Sequence, residues 1–134
     1  MSQLTGSCLC KKITYQINLP TSNLPKRNTG SGFSANIVVP KSSMQYTQGS
    51  PKLFLDRGDL GGEVGREFCP DCGTPLTSLP SDDPECVVVK SGTLDDQDRE
   101  RCTELRLEIY HHRKDKWVDS IGHEDVKKLN GSMQ

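Results

Sequence analysis

The stretch Phe68-Cys69-Pro70-Asp71-Cys72-Gly73 places two cysteines three residues apart, and Cys8-Leu9-Cys10 supplies a second close pair near the start of the chain. A Cys-x-x-Cys turn followed by glycine brings two thiolates to one point, as in a zinc knuckle. Side chains at i and i+2 of a strand point to the same face, so we expect Cys8 and Cys10 to present their sulfurs side by side. Four thiolates suit tetrahedral Zn²⁺ with no open position. The two pairs therefore predict one structural zinc ion, bound by Cys8, Cys10, Cys69 and Cys72.

The six cysteines of the 134-residue chain admit other interpretations. Three disulfides would need an oxidising compartment, but the first residues have neither the basic start nor the apolar core of a secretory signal. A redox Cys-x-x-Cys pair normally opens a helix, whereas Pro75 and the β-prone Thr77-Ser78-Leu79 follow the second pair. Two chance pairs of reduced core cysteines are the remaining alternative. Cys86 and Cys102 stand alone, and we interpret them as buried thiols that behave as small hydrophobic residues.

Composition and charge exclude several classes of function. The chain has 17 basic and 18 acidic residues, so no broad attraction to nucleic acid or to an anionic membrane surface is expected. No segment approaches the roughly 18 apolar residues of a membrane-spanning helix. We therefore expect a soluble, cytoplasmic protein with a small-molecule substrate, no nucleic-acid or membrane partner, and a homodimer through an exposed sheet edge as its one candidate assembly. Only 32% of the residues are hydrophobic, so a metal clip would offset part of the chain entropy lost on folding.

Short segments of alternating polarity, separated by turn residues, predict a mainly β fold. The segment 11–18 is the clearest, since Ile13, Tyr15 and Ile17 would share one face of a half-buried strand. Further strands are predicted at 33–39, 44–47, 52–55, 67–69, 74–79, 86–90 and 104–112. Loops are predicted at 19–32 and 56–65, and short helices at 94–101 and 124–129. We expect a single domain over 1–130 and a flexible tail at 131–134.

Several short motifs of this chain occur in the same order as in one known family. They are Gly6-Ser7-Cys8-Leu9-Cys10-Lys11, Thr29-Gly30-Ser31-Gly32-Phe33, Val38-Val39-Pro40, Arg66-Glu67-Phe68-Cys69-Pro70-Asp71-Cys72-Gly73-Thr74-Pro75-Leu76, Val89-Lys90-Ser91-Gly92-Thr93-Leu94-Asp95-Asp96, Glu108-Ile109-Tyr110 and Trp117-Val118. Together they resemble the family of glutathione-dependent formaldehyde-activating enzymes and centromere protein V, over nearly the whole chain. The resemblance implies a β-tent fold of small twisted antiparallel sheets around a structural zinc. The four paired cysteines match that zinc's ligands one for one.

The resemblance also implies a second, catalytic zinc, bound by a Cys-His-Cys-x-x-Cys segment just before Thr29-Gly30. The three ligand positions are here Pro20, Ser22 and Pro25. Proline has no side-chain donor atom, and a neutral serine hydroxyl is a poor zinc ligand. Cys86 and Cys102 lie too far along the chain to replace them by a shift of register. We therefore expect one zinc ion per chain and no zinc catalysis of the family's usual kind.

Three functions are compatible with these residues. The first is a lyase, isomerase or dehydratase that works without a metal. The second is a carbon–sulfur lyase that binds a glutathione adduct without the second zinc. The third is a non-catalytic binding or regulatory module. The candidate substrate-binding residues are Lys26, Arg27, Thr29, Ser31 and Phe33. Arg27 is the strongest candidate in the site, because its planar guanidinium pairs bidentately with an anion. His111 and His112 are candidate acid–base residues, with solvated positions at a strand end as the alternative.

Overall fold

The computed structural model describes residues 2–20, 27–30, 34–58, 61–116, 118 and 126–131, and for 27–30 and 113 it describes the backbone alone. The strands are β1 (Ser2–Ser7), β2 (Thr14–Leu19), β3 (Arg27–Gly30), β4 (Ala35–Pro40), β5 (Met44–Gln48), β6 (Lys52–Arg57), β7 (Glu63–Phe68), β8 (Pro75–Pro80), β9 (Cys86–Lys90), β10 (Leu105–Ile109) and β11 (Lys127–Lys128). One helix, α1, covers Asp96–Glu100, and 3₁₀ turns cover Lys41–Ser43, Ser91–Thr93 and His111–Arg113. The mainly β fold predicted from the sequence is thus confirmed. No helix in the described part of the chain is long and apolar enough to cross a membrane.

The strands form two sheets. The first has three strands in the order β1-β2-β5, and the second has eight in the order β11-β10-β3-β4-β9-β8-β7-β6. Pairing is antiparallel except at β10, which runs parallel to β3 on one side and to β11 on the other. Short connections such as the one between β6 and β7 favour antiparallel pairing, whereas parallel neighbours need a longer crossover. The parallel strands therefore join parts of the chain that are far apart in sequence.

One hydrophobic cluster connects the two sheets. Leu4 and Ile17 enter it from the first sheet, and Ile37 and Val89 enter it from the second, all of them fully buried. The predicted alternation at 11–18 holds for Ile13, Tyr15 and Ile17, which are all buried. Burial of such side chains is the main favourable term in folding.

Helix α1 and the two residues that flank it, Asp95 and Arg101, fix the first strand to the rest of the domain. The backbone N–H of Thr5 donates to Asp98 Oδ2 at 2.7 Å, and the Thr5 hydroxyl donates to Asp95 Oδ2 at 2.6 Å. Arg101 donates to the carbonyl of Gln3 at 3.3 Å. The side chains of Asp95, Asp98 and Arg101 therefore all bind β1.

Several strand and loop boundaries predicted from the sequence are wrong. The strand predicted at 11–18 begins only at Thr14, because the chain first makes a turn in which Lys11 has a φ of 63°. The predicted loop at 56–65 is shorter, since β6 extends to Arg57 and β7 begins at Glu63. The predicted loop at 19–32 contains β3, whose pairing with β4 and β10 overrides its weak local preference.

The C-terminal part of the described chain also differs from expectation. The helix predicted at 124–129 is wrong for the described residues, because Lys127–Lys128 form β11 beside β10. The N–H of Leu129 donates to the carbonyl of Glu108 at 2.8 Å, which a helix could not provide. The N–H of Tyr110 donates to the carbonyl of Gly131 at 3.2 Å. Residues 132–134 of the predicted tail lie outside the described residues, so that boundary stays a prediction.

Gly6 is required where the two sheets approach each other. A Cβ at this position would overlap the phenol ring of Tyr15 and lie 2.5 Å from the carbonyl oxygen of Thr93. The Tyr15 hydroxyl donates to Thr93 Oγ1 at 2.8 Å, since the Thr93 proton is already donated to the carbonyl of Lys90 at 2.7 Å. Neither the buried ring nor the backbone can move aside without breaking this contact.

We predict that Gly6→Ala lowers the free energy of unfolding by about 3 kcal/mol, the upper part of the usual overpacking range. Gly92→Ala is the matched control, because a Cβ at Gly92 meets nothing within 4 Å. The control should stay within about 0.5 kcal/mol of the natural protein, as surface substitutions usually do. Urea denaturation of both variants measures the difference, and equal midpoints would contradict the close approach at Gly6.

Candidate metal centre and candidate site residues

The four paired cysteines converge on one point. Their Sγ atoms all lie within 4.8 Å of one another, with 3.5 Å between Cys8 and Cys10 and 3.7 Å between Cys10 and Cys69. Zinc–sulfur bonds of about 2.3 Å in a tetrahedron place the sulfurs about 3.8 Å apart. None of the six cysteines forms a disulfide, and these separations are far longer than the roughly 2.05 Å of such a bond. The donor set therefore fits a zinc ion.

Two turns of similar design hold the two pairs. The N–H of Cys8 donates to the carbonyl of Ile13 at 3.1 Å, and the N–H of Cys69 donates to the carbonyl of Thr74 at 3.0 Å. Each turn contains a residue with positive φ whose N–H donates to the first cysteine's carbonyl: Lys11 at 63° and Gly73 at 74°. The expectation that strand alternation aligns Cys8 and Cys10 is thus wrong, because both lie in the turn after β1 and the turn itself brings the sulfurs together.

Backbone N–H groups also point at the two buried sulfurs. The N–H of Ile13 lies 3.4 Å from Cys8 Sγ, and the N–H of Cys72 lies 3.5 Å from Cys69 Sγ. Cys8 and Cys69 are fully buried, whereas Cys10 and Cys72 are exposed. Hydrogen bonds to a charged sulfur favour its charged form and hold it in place, as groups around metal ligands commonly do.

The sulfurs differ in their readiness to lose a proton. Burial raises the pKa of Cys8, but hydrogen bonds from Ile13 and from neighbouring sulfurs outweigh it and lower the pKa overall. The hydroxyl and the backbone of Thr74 lower the pKa of Cys72 to about 5. The N–H of Lys12 lowers the pKa of Cys10, yet burial and the three other sulfurs raise it to about 12. A bound cation would remove this conflict, because it stabilises all four thiolates together.

Thr74 links the two turns. Its Oγ1 accepts the N–H of Leu9 at 3.2 Å and lies 3.1 Å from Cys72 Sγ. Lys12 and Asp71 form an ion pair across the same junction at 3.4 Å. Both of those side chains are more than half exposed, so the pair contributes little to stability.

The other two cysteines stay apart from this cluster. Cys102 is buried at 1% exposure, and Cys86 is half-buried on β9, where burial and then Asp83 raise its pKa. Within the described ranges, no other group of three or more cysteine, histidine or acidic side chains is close enough to hold a metal. Pro20 follows β2 and is exposed, while the other two positions expected for a second zinc lie outside the described residues.

Three of the sequence-predicted site residues, Arg27, Thr29 and His111, lie on or directly after β3 and β10, two neighbouring strands of the large sheet. Arg27 and Thr29 lie on β3, which pairs with β10 so that Thr29 is opposite Glu108 and Arg27 is opposite Leu105. The chain turns immediately after β10 and continues into His111. Lys26, Ser31 and Phe33 lie outside the described residues.

His111 faces a buried carboxylate. Its Nε2 atom is buried, lies 3.5 Å from Glu108 Oε2 and has no hydrogen-bond partner among the described residues. The side chain of Glu108 is 8% exposed. Tyr110 has a left-handed φ of 52°, and the N–H of His111 donates to the carbonyl of Leu129 at 2.9 Å. The left-handed turn and the strand after residue 126 thus hold the imidazole over Glu108.

His112 does not share this environment. It is exposed, and both histidines belong to the 3₁₀ turn His111–Arg113 rather than to a strand. The predicted strand at 104–112 is therefore wrong beyond Ile109.

Sequence reasoning missed Glu108 and a polar cluster at Lys90. A glutamate between the apolar residues of an alternating strand is expected on the solvent side, yet Glu108 is the one residue of β10 that is buried. Lys90 is part-buried and donates to Ser34 Oγ and to Asn36 Oδ1, both at 3.2 Å, and burial lowers its pKa. Strand alternation puts Lys90 and Glu108 on opposite faces of the sheet, so they do not form one site.

Two adjacent open clefts lie beside the first cysteine turn rather than at the histidine. One of about 310 Å³ borders Cys8, Thr74 and Leu94, and one of about 360 Å³ borders Thr5 and Tyr15. Ser7, Lys11 and Asp95 line both clefts. The sequence-predicted substrate residues line neither of them.

We predict that purified protein carries about one zinc ion per chain and that Cys69→Ser loses it, because the three remaining thiolates cannot complete a closed tetrahedral shell. Loss of the ion should lower the free energy of unfolding by about 4 kcal/mol or more, the range of the largest single-residue effects. Metal analysis and thermal unfolding measure the two quantities. Cys86→Ser is the matched control and should keep both values, whereas two zinc ions per chain would contradict a single centre.

Comparison with known proteins agrees with this geometry. The family model of the glutathione-dependent formaldehyde-activating enzyme (GFA) matches residues 3–113, a segment that includes all four clustered cysteines. A crystal structure of a protein from Rhodobacter sphaeroides is similar in fold, with a TM-score of 0.51 and 17% sequence identity over 75% of this chain and 98% of that one. No curated protein shows significant similarity to the chain. Because the family model matches most of its length, the chain belongs to the glutathione-dependent formaldehyde-activating enzyme family.

Proposed function

We propose that the chain is a zinc-stabilised enzyme of the lyase or isomerase type, which acts on a small carbonyl or thiol-adduct substrate without a second metal ion. The observation that carries this proposal is the buried Glu108 carboxylate facing the unpartnered Nε2 of His111 at 3.5 Å. A carboxylate that orients an imidazole is the usual arrangement of an acid–base pair. Family membership supports the substrate class, because the family takes its name from glutathione and formaldehyde.

The zinc ion in this proposal has a structural role. Cys8, Cys10, Cys69 and Cys72 would hold it, and it would supply cross-linking of the chain rather than a reactive water, since four sulfurs leave no open position. A reducing, cytoplasmic location would keep these thiols available, which is compatible with six cysteines that form no disulfide.

Breakdown of a thiol hemiacetal illustrates what the pair would do. His111 Nδ1, the ring nitrogen that does not face Glu108, takes the proton of the adduct's hydroxyl, the oxygen electrons form the carbonyl, and the carbon–sulfur bond breaks. The departing sulfur then takes the proton back from the imidazolium, so that an aldehyde and a thiol leave with no net proton gained or lost. Glu108 stabilises the imidazolium between these two transfers. Arg27, opposite Leu105 on the neighbouring strand, is the proposed contact for an anionic group of the substrate.

A test follows from the equilibrium between formaldehyde, glutathione and S-hydroxymethylglutathione. We expect the protein to speed the exchange measured by NMR with ¹³C-formaldehyde, and His111→Gln to reduce that acceleration about 100-fold, the usual lower bound for an acid–base group. His112→Gln is the matched control, because His112 is an exposed neighbour in the same turn. It should keep the natural rate.

Two outcomes would count against the proposal. Full acceleration in His111→Gln would remove this pair from the chemistry. An absence of acceleration by the natural protein, combined with a rise in melting temperature on adding the adduct, would favour a non-catalytic binding module instead, since a ligand that binds the folded state stabilises it.

A further inference from the structure

Strand β6 forms one edge of the eight-stranded sheet and carries three consecutive exposed apolar residues. Leu53, Phe54 and Leu55 are 50%, 57% and 61% exposed. No described strand pairs with the outer side of β6, since its one neighbour in the sheet is β7. Single exposed apolar side chains are ordinary, but three in a row on a strand edge leave apolar surface and backbone hydrogen-bonding groups uncovered together.

The usual protections of an exposed edge are missing from the middle of this strand. Pairing between β6 and β7 runs without a bulge from Lys52 opposite Phe68 to Arg57 opposite Glu63. Proline is absent from 52–57, and the charged side chains are confined to its ends. A regular edge of this kind is a template for another strand.

The sequence of β6 is complementary to itself when read in the opposite direction. In Lys52-Leu53-Phe54-Leu55-Asp56, an antiparallel pair with its two-fold axis at Phe54 sets lysine opposite aspartate at both ends and leucine opposite leucine inside. Opposite charges and apolar pairs at directly facing positions stabilise a sheet. Phe54 then faces Phe54 of the partner subunit on the axis.

The geometry of antiparallel pairing allows few other registers between two copies of β6. Backbone groups of alternate residues point outward, so two copies of one edge can pair only when facing residue numbers have an even sum. A shift of the axis to Leu53 or Leu55 would put a charged residue opposite Phe54 and lose both lysine–aspartate pairs. A parallel arrangement would put lysine opposite lysine. The register centred on Phe54 is the one that satisfies charge and polarity together.

We propose that β6 is a dimer interface, in which a second copy of this chain pairs antiparallel along Lys52–Asp56 about a two-fold axis at Phe54. Lys52 has no ion-pair partner among the described residues, so its ammonium is available to the partner subunit. Asp56 already accepts Arg66 Nε at 2.9 Å and the N–H of Arg57 at 2.8 Å. These bonds hold the carboxylate in a fixed position, where Lys52 of the partner subunit would join it. A closed, isologous interface of this kind is the commonest form of dimer.

This interface is independent of the proposed catalysis. None of its residues belongs to the cysteine centre or to the Glu108–His111 pair. Loss of dimer formation would therefore leave the exchange rate measured by NMR unchanged, and loss of catalysis would leave the dimer intact.

The test compares oligomeric state by light scattering and sedimentation over a protein concentration range that reaches about 100 µM, high enough to populate micromolar dimers. We expect the natural protein to dimerise. Lys52→Asp places aspartate opposite aspartate at both ends of the interface, so its dimer should dissociate at concentrations at least about tenfold higher. The double variant Lys52→Asp with Asp56→Asn removes this like-charge repulsion without setting a cation beside Arg66, so its dimer should be tighter than that of Lys52→Asp alone.

Lys127→Asp is the matched control. Lys127 is exposed on β11 at the opposite edge of the same sheet, and its replacement makes the same change in net charge. This variant should dimerise as the natural protein does. A natural protein that stays monomeric over this range, or a Lys52→Asp dimer as tight as the natural one, would overturn the proposal.

Discussion

Convergence of four sulfurs is the constraint on which the rest of this structure depends. Cys8 and Cys10 lie between β1 and β2 of the small sheet, and Cys69 and Cys72 lie between β7 and β8 of the large one. Cys10 and Cys69 are 59 residues apart in sequence, yet their Sγ atoms are separated by 3.7 Å. A metal ion at this point joins two hairpin connections and so fixes the sheets relative to each other. Cross-links that close long loops remove the most freedom from the unfolded chain.

The contacts around the centre extend this constraint into the fold. The strand before Cys8 is held from the other side by Asp95 and Asp98, and Gly6 lets Tyr15 reach Thr93. These contacts connect the first strand to the segment after β9. The Glu108–His111 pair belongs to a different part of the molecule, where parallel pairing of β10 with β3 and β11 assembles three distant segments. Stability and the proposed chemistry therefore rest on separate groups of residues.

Sequence reasoning succeeds where a structural signal is local. Cysteine spacing predicts the cluster, and alternation predicts the buried face of β2, because turns and strands impose short repeats on the chain. It fails where a distant partner decides. Strand β3 lies within a predicted loop and β11 within a predicted helix, since each exists through pairing with β10. The burial of Glu108 and the 3₁₀ turn at His111 follow from the same pairing, so no local pattern marks them.

X-ray absorption at the zinc edge tests the central claim most directly, because it reports the atoms bonded to the metal in the folded protein. We predict a shell of four sulfur atoms at about 2.3 Å with no nitrogen or oxygen neighbour. A shell that contains a water, histidine or carboxylate oxygen would contradict it. So would an oxidised protein in which these cysteines are bonded to each other and no metal is present.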